Sequence, residues 1–393
     1  MNKTRTSTSR TWQHFGLGAL TATLIGMAAP VASAQIDIYV LQVGSGANSP
    51  LTSAYEPFTI VRYSGSPASL SQTGSWAAPS ADPADRVTMG GSFTTYGNLN
   101  RSNDGNLLLF TGRDVAVGGA TGDATSVVIA SFNLQNQTFD TSTRPAQAGG
   151  SGFRAVASID GSEYWYSGQG GGIRYVTHGQ TSSTTSINTT GAGNPSNIET
   201  AKVQIIDNTI FFSRRAGSDR GIQFMPEGLH TVHGEDRFPI EGDGWARAAA
   251  DPNPSGYLDF SFYNNDTLFV SNTNQLQVYV RSTENPDNFD RLTGAGQALT
   301  DLDGETQFGV IEHEDGVYLF YSSGTGTDGN SLWSVQWDPV AQSFGTPNQL
   351  ATADSGYSFA GVVAIPEPST YALIFGLGIL GAALLVRRRG RQA

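Results

Sequence analysis

Between Gln35 and Ile365 the chain alternates short apolar runs with polar turns. No long apolar stretch there recurs at the three-to-four spacing of a helix. The runs are rich in Val, Ile, Tyr, Phe and Trp: IDIYVLQVG from Ile36, NLLLFTG from Asn106, EYWYSG from Glu163, TIFFSRR from Thr209, TLFVSN from Thr267 and VYLFYSSG from Val317. Clusters of Gly, Asn, Asp and Ser bound them, which predicts β-strands joined by tight turns.

The runs repeat as a unit. An apolar strand, a turn dipeptide, an aromatic strand, a polar loop and a third strand follow one another in RAVASIDGSEYWYSGQGGGIRYV from Arg154. The same order returns from Ala201, from Leu258 and from Phe308, and an earlier copy holds Asp104-Gly105 before NLLLF. The turns begin at Asp104, Asp160, Asp207, Asn265 and Asp315, at steps of 56, 47, 58 and 50 residues. A period near that length with three or four strands per unit predicts propeller blades.

The termini of this region supply one more blade. YSFAGVVAI from Tyr357 has the character of a first strand with no blade after it, and IDIYVLQVG that of a second strand lacking its first. Pairing the two completes a sixth blade and removes the exposed edge that a linear array would leave. The expectation is an all-β protein, a six-bladed β-propeller over residues 35–364 closed by its N- and C-terminal strands. The looser steps leave seven blades open, and a pair of β-sandwiches is the alternative. Kelch and WD40 signatures are missing; Trp337-Asp338 occurs once.

Both flanks read as targeting segments. Lys3, Arg5 and Arg10 precede an apolar stretch, and Ala32-Ser33-Ala34 before Gln35 is the small-x-small pattern of signal peptidase. Residues 1–34 are therefore expected to be a signal peptide cleaved between Ala34 and Gln35. At the other end, residues 371–386 (YALIFGLGILGAALLV) are uncharged. As a helix they span ~24 Å against a bilayer core of about 30 Å. Arg387, Arg388 and Arg389 follow as a membrane stop, which predicts a transmembrane helix with its C-terminus cytoplasmic. Pro366 and Pro368 keep the preceding linker extended.

The order Ile365-Pro366-Glu367-Pro368-Ser369-Thr370, apolar helix, Arg387-Arg388-Arg389 resembles the PEP-CTERM sorting signal of Gram-negative bacteria, also labelled an ice-binding protein C-terminal domain. The resemblance covers residues 365–393 and leaves the body without a named family. It implies that Pro366, Glu367 and Pro368 are a recognition motif for an exosortase, a membrane cysteine protease. It also implies a protein exported, anchored in the inner membrane before processing, then placed at the cell surface or in extracellular matrix. Such proteins are often glycosylated.

Charge and composition narrow the partners. The net charge is −12 although both ends are basic, so the body is more acidic than the total, and nucleic acid is not an expected partner. With no cysteine in the chain, disulfides, thiol nucleophiles, thiolate metal sites and a lipoprotein anchor are excluded.

Candidate chemistry is sparse, and no G-x-S-x-G, H-E-x-x-H or P-loop occurs. His230, His233, Glu235 and Asp236 could meet a divalent metal, but their spacing fixes no common face and a solvated loop explains them more simply. Asp301, Asp303 and Glu305, with Glu312 at the twelfth position, form a partial calcium pattern that runs into an apparent strand. Asp160, Glu163 and His178 would serve a propeller hydrolase or lyase if they converged on the channel. Tyr164-Trp165-Tyr166, Trp333 and Trp337 could stack on sugars, although core positions account for most of them. No catalytic residue, metal site or cofactor is assigned. The expected role is a surface or matrix protein binding polysaccharide or protein, with a propeller enzyme acting on extracellular glycans as the alternative.

Overall fold

A computed structural model of the protein describes residues 35–366. Left outside the description are 48–49, 93–96, 121–125, 147–152, 169–171, 183, 188–198, 215–220, 226–227, 232–257, 265, 273–274, 285–288, 301, 303–306 and 324–328. The described residues form strands and turns with no helix, arranged as a six-bladed propeller.

The first blade is the composite one. From its inner edge outward it runs Tyr357–Pro366, Ile36–Gly44, Phe58–Ser66 and Ser69–Ala77. The terminal strands pair antiparallel from Ile36 opposite Pro366 to Gly44 opposite Tyr357, with one irregularity between Val40 and Gln42. The second blade runs Asn100–Arg101, Leu107–Arg113, Val127–Asn133 and Phe139–Thr143, and the third Phe153–Ala157, Glu163–Gly168, Gly172–Thr177 and Thr185–Ser186. Three strands of the fourth blade are described: Thr200–Ile206, Thr209–Arg214 and Gly221–Met225.

In the fifth, Asp259–Asn264, Thr267–Ser271 and Leu276–Arg281 are followed by Phe289–Arg291 and Ala298–Leu299, both paired to the third strand. The sixth repeats that plan with Phe308–His313, Gly316–Ser323 and Ser331–Asp338, then Ser343–Phe344 and Asn348–Thr352. The long step from Asp207 to Asn265 holds residues 232–257, which lie outside the description.

Each inner strand contacts the inner strand of the next blade, and that of the sixth contacts that of the first, so the ring is complete. The core is divided accordingly into apolar clusters, one in each gap between adjacent blades. Ile36–Gly44 shows how sequence makes this possible. Tyr39, Leu41 and Val43 pack toward the second blade with Leu108, Phe110 and Phe132, while Ile36, Ile38 and Val40 pack toward the sixth with Ile311, Phe320 and Leu332. A strand covered on both faces has no polar face, which is why IDIYVLQVG reads as a nearly continuous apolar run.

The turns after the inner strands of the second, third and fourth blades hold the expected dipeptides, while in the sixth the two-residue turn is Glu314-Asp315 and Gly316 opens the next strand. Asp207 and Asn208 both take left-handed conformations (φ 47° and 62°), the geometry of a two-residue hairpin whose twist matches its strands. The inner strands also run in the same sense. Asn98, Asn100 and Asn103 follow Ala201, Val203 and Ile205 in order, and Gly97 and Leu99 follow Ala360 and Gly361. The hairpin turns therefore lie at the same end of the ring as Pro366, where the chain leaves the inner strand of the first blade.

Candidate functional site

The inner strands enclose a cavity of about 240 Å³ lined by residues from every blade. Phe308, Val362 and Ala157 are among its apolar lining residues, and Arg101, Asn103, Lys202, Gln204 and Ser261 supply polar side chains. Alternation along Thr200–Ile206 places Lys202 and Gln204 there. Ala201, Val203 and Ile205 are buried, and Val203 and Ile205 join the core cluster shared with the third blade, so Lys202 and Gln204 fall on the other face of the strand, which borders the channel. Ala364 lies two residues and Ile205 one residue from the C-terminal ends of their strands, so the cavity lies toward the face bearing the hairpin turns.

Two buried polar devices tie the inner strands together. Lys202 Nζ sits 3.0 Å from Asp259 Oδ1 and 3.5 Å from the carbonyl oxygen of Leu99, with both side chains of the ion pair 2% exposed or less. Asp259 in turn accepts backbone N–H groups from Phe260 (2.8 Å) and Phe308 (3.1 Å). One pair thus reaches the second, fourth, fifth and sixth blades. Along the same two chain segments that Lys202 and Leu99 join, an asparagine ladder crosses from the second blade. Asn98 Nδ2 donates to Ala201 O, Asn100 Nδ2 to Val156 O and Val203 O, and Asn103 Nδ2 to Ile205 O, at 2.7 to 3.2 Å. Replacing Asn100 by Ala strips two buried carbonyls of their donor. The expected loss is about 2 kcal/mol in denaturant unfolding, with an unchanged m-value.

The sequence contained no sign of either device. Lys202 and Asp259 are isolated charges 57 positions apart. Asn98, Asn100 and Asn103 precede Asp104-Gly105 and read as turn chemistry.

Among the described residues, those singled out from sequence do not line the channel cavity. Asp160 stays on its hairpin turn, accepting from the backbone N–H and hydroxyl of Ser162 at 2.9 and 2.6 Å. Those bonds hold its carboxyl below the usual range. Glu163 accepts the hydroxyl of Tyr175; that bond, with burial, pushes Tyr175 up to about 12. His178 faces Asp140 of the second blade, Nε2 to Oδ2 2.8 Å, with both side chains near half exposure.

Tyr164, Trp165 and Tyr166 are buried core, and Trp165 Nε1 donates to the carbonyl of His230 at 2.7 Å. Trp337 is buried as well, stacked edge-on against Phe269 and Phe344, while Trp333 is half-buried. Glu312 belongs to the inner strand of the sixth blade. His233, Glu235, Asp236, Asp301, Asp303 and Glu305 lie outside the described residues, as do Ala32 and Ala34, Glu367 and Pro368, residues 371–386 and Arg387–Arg389. Gln35 is exposed beside Ile36, at the start of the closing pair.

A family model, the PEP-CTERM protein-sorting motif, matches residues 364–389. The motif is a recognition signal for exosortase and marks an exported protein that is anchored at a membrane before it is sorted. A search of curated proteins finds no match.

Among solved structures the chain is similar to TolB from Acinetobacter baumannii, with 13% identity over 85% of this chain and 67% of that one and a TM-score of 0.46. It is also similar to a chain of a nidogen/laminin complex, with 10% identity, 83% and 98% coverage and a TM-score of 0.47. The WD40 β-propeller domain of Doa1 gives 10% identity, 84% and 98% coverage and a TM-score of 0.41.

Proposed function

We propose that this is a cell-surface or extracellular-matrix component that holds a polysaccharide through its propeller channel. Its signal peptide, residues 1–34, is removed after Ala34. A transmembrane helix at 371–386, stopped by Arg387–Arg389, tethers it until exosortase acts at Pro366–Pro368. The body at 35–364 is the part delivered.

The observation that carries the binding reading is the cavity itself. Its volume of about 240 Å³ accommodates one sugar residue, and amide, hydroxyl and guanidinium groups stand around apolar walls, the mixture that recognises a polyhydroxylated ring. Among the described lining residues there is no carboxylate or imidazole. The nearest buried acid, Asp259, has its oxygens engaged by Lys202, Phe260 and Phe308. That favours holding a glycan over hydrolysing one.

Two measurements test the reading. Intact-mass analysis of fractionated producing cells is expected to show a form lacking both ends, outside the inner membrane. Retention of residues 371–393 in that membrane would count against matrix delivery. Binding of the mature body to the polysaccharide of its own matrix is expected to weaken about tenfold on Gln204→Leu combined with Ser261→Ala, each removing one hydrogen-bonding group. Unchanged binding in that variant would move the site off the channel.

A further inference from the structure

The sorting motif begins inside the fold. Pro366, its first residue, occupies the last register position of the closing strand, opposite Ile36, and Ile365 lies opposite Asp37. No spacer separates the propeller from the tripeptide that the protease reads.

The two partners are held unequally. Ile36–Gly44 is paired on both sides, to Tyr357–Pro366 within and to Phe58–Ser66 without. Its end is further fixed by Asp37, whose carboxylate meets Arg62 Nη2 at 2.6 Å and accepts the hydroxyl of Ser64 at 2.6 Å. Tyr357–Pro366 is the inner strand of its sheet and is paired on one side only. Of the two, its end is the one that can peel away.

Peeling is required by the chemistry of recognition. A protease takes an extended substrate through main-chain hydrogen bonds on both sides of the motif, as an added strand. The main chain leading into the motif, Ala364–Pro366, is already paired with Ile36–Ile38, so closure and capture compete for the same groups. Reach adds to the conflict. Only four residues separate Pro366 from the expected start of the membrane helix at Tyr371, at most ~14 Å of extended chain. The folded body cannot retreat to free the motif.

We propose that ring closure gates sorting: the segment Ala364–Pro366 leaves Ile36–Ile38 before the exosortase captures the motif, so the frayed fraction of the anchored precursor is the substrate. This rests on the sorting reading above.

The test is a pulse-chase in the producing cells, following conversion of the full chain to its shortened form. The chain has no cysteine of its own, so engineered pairs are unambiguous. Asp37→Cys with Ile365→Cys staples the motif end of the closing pair. Val43→Cys with Ser358→Cys staples the far end of the same strands, which are also register partners.

The near staple is expected to slow conversion roughly tenfold or more when oxidised, because local opening is blocked. Reductant should restore conversion to at least the wild-type rate, since the Asp37 tether is gone. The far staple should leave the rate unchanged. A six-residue Gly-Ser insertion between Ile365 and Pro366, which keeps the strand through Ile365 and lets the motif hang free, should speed conversion roughly tenfold. Wild-type conversion with no response to the near staple or the insertion overturns the gate alone, as does equal slowing by both staples. A wild-type chain that is never shortened overturns the sorting reading and the gate with it.

Discussion

A mature chain ended after Gly356 is expected to lose its cooperative unfolding transition, whereas one ended after Pro366 should melt as the longer protein does. The difference is ten residues, Tyr357–Pro366, and they are the inner strand of the first blade. Phe359, Val362, Val363 and Ile365 are buried within it, divided between the apolar clusters shared with the second and sixth blades. At ~1.5–3 kcal/mol for each large apolar side chain, their burial is worth about as much as the whole stability of an ordinary domain, ~5–15 kcal/mol. Removing the strand also leaves Ile36–Gly44 with an unpaired edge facing the channel.

A point substitution reaches the same seam. A Cβ at Gly361 would stand 2.2 Å from the carbonyl oxygen of Gly97 and 2.5 Å from the amide nitrogen of Leu99. Those are backbone atoms of the next blade, so neither can swing aside. Gly361→Val is expected to cost about 3 kcal/mol or more. Thermal unfolding of the truncations and of Gly361→Val, followed by far- and near-ultraviolet circular dichroism, checks both results. A sharp transition in the chain ended at Gly356 would show that the ring does not depend on its closing strand.

The architecture was legible because it is written in local chemistry. Turn dipeptides such as Asp207-Asn208 demand positive φ, and their spacing counts blades. The closing pair was legible for a related reason: Tyr357–Ile365 is too apolar to stand alone and has no blade of its own, and Ile36–Gly44 lacks an inner neighbour. The channel was not legible, since its polar groups come from residues with no sequence relation to one another.

Asn100 reads as part of a turn until Val156 and Val203 are beside it. For the aromatic residues of EYWYSG the core reading was the one to prefer over sugar stacking, and Trp165 and Tyr166 are fully buried. Blade faces are covered on both sides, so an aromatic there satisfies packing before it can serve a ligand.

The second large effect lies at the ion pair. Asp259→Asn is expected to destabilise the propeller by about 3–5 kcal/mol, the usual consequence of removing one member of a buried pair. Hydrogen-bond geometry explains why so small a change matters. Asp259 uses Oδ1 for Lys202 and the Phe260 N–H, and Oδ2 for the Phe308 N–H. An asparagine has only one acceptor oxygen. Whichever way it is turned, its amide N–H₂ confronts a donor, either Phe308 N–H or Lys202 and Phe260 N–H together. Lys202, buried among the inner strands, then has a neutral amide in place of its carboxylate partner, with the Leu99 carbonyl beside it.

Lys202→Met should cost less than Asp259→Asn, because the carboxylate retains two backbone donors while the long apolar side chain fills the vacated space. The double variant is expected to be more stable than Asp259→Asn alone, because no unpaired ammonium remains. A double-mutant cycle in denaturant reads this directly as a favourable coupling energy between the two sites. Additive losses would mean that Lys202 and Asp259 stabilise their own strands separately. A large coupling would show that the pair itself ties the inner strand of the fourth blade to that of the fifth beside the channel.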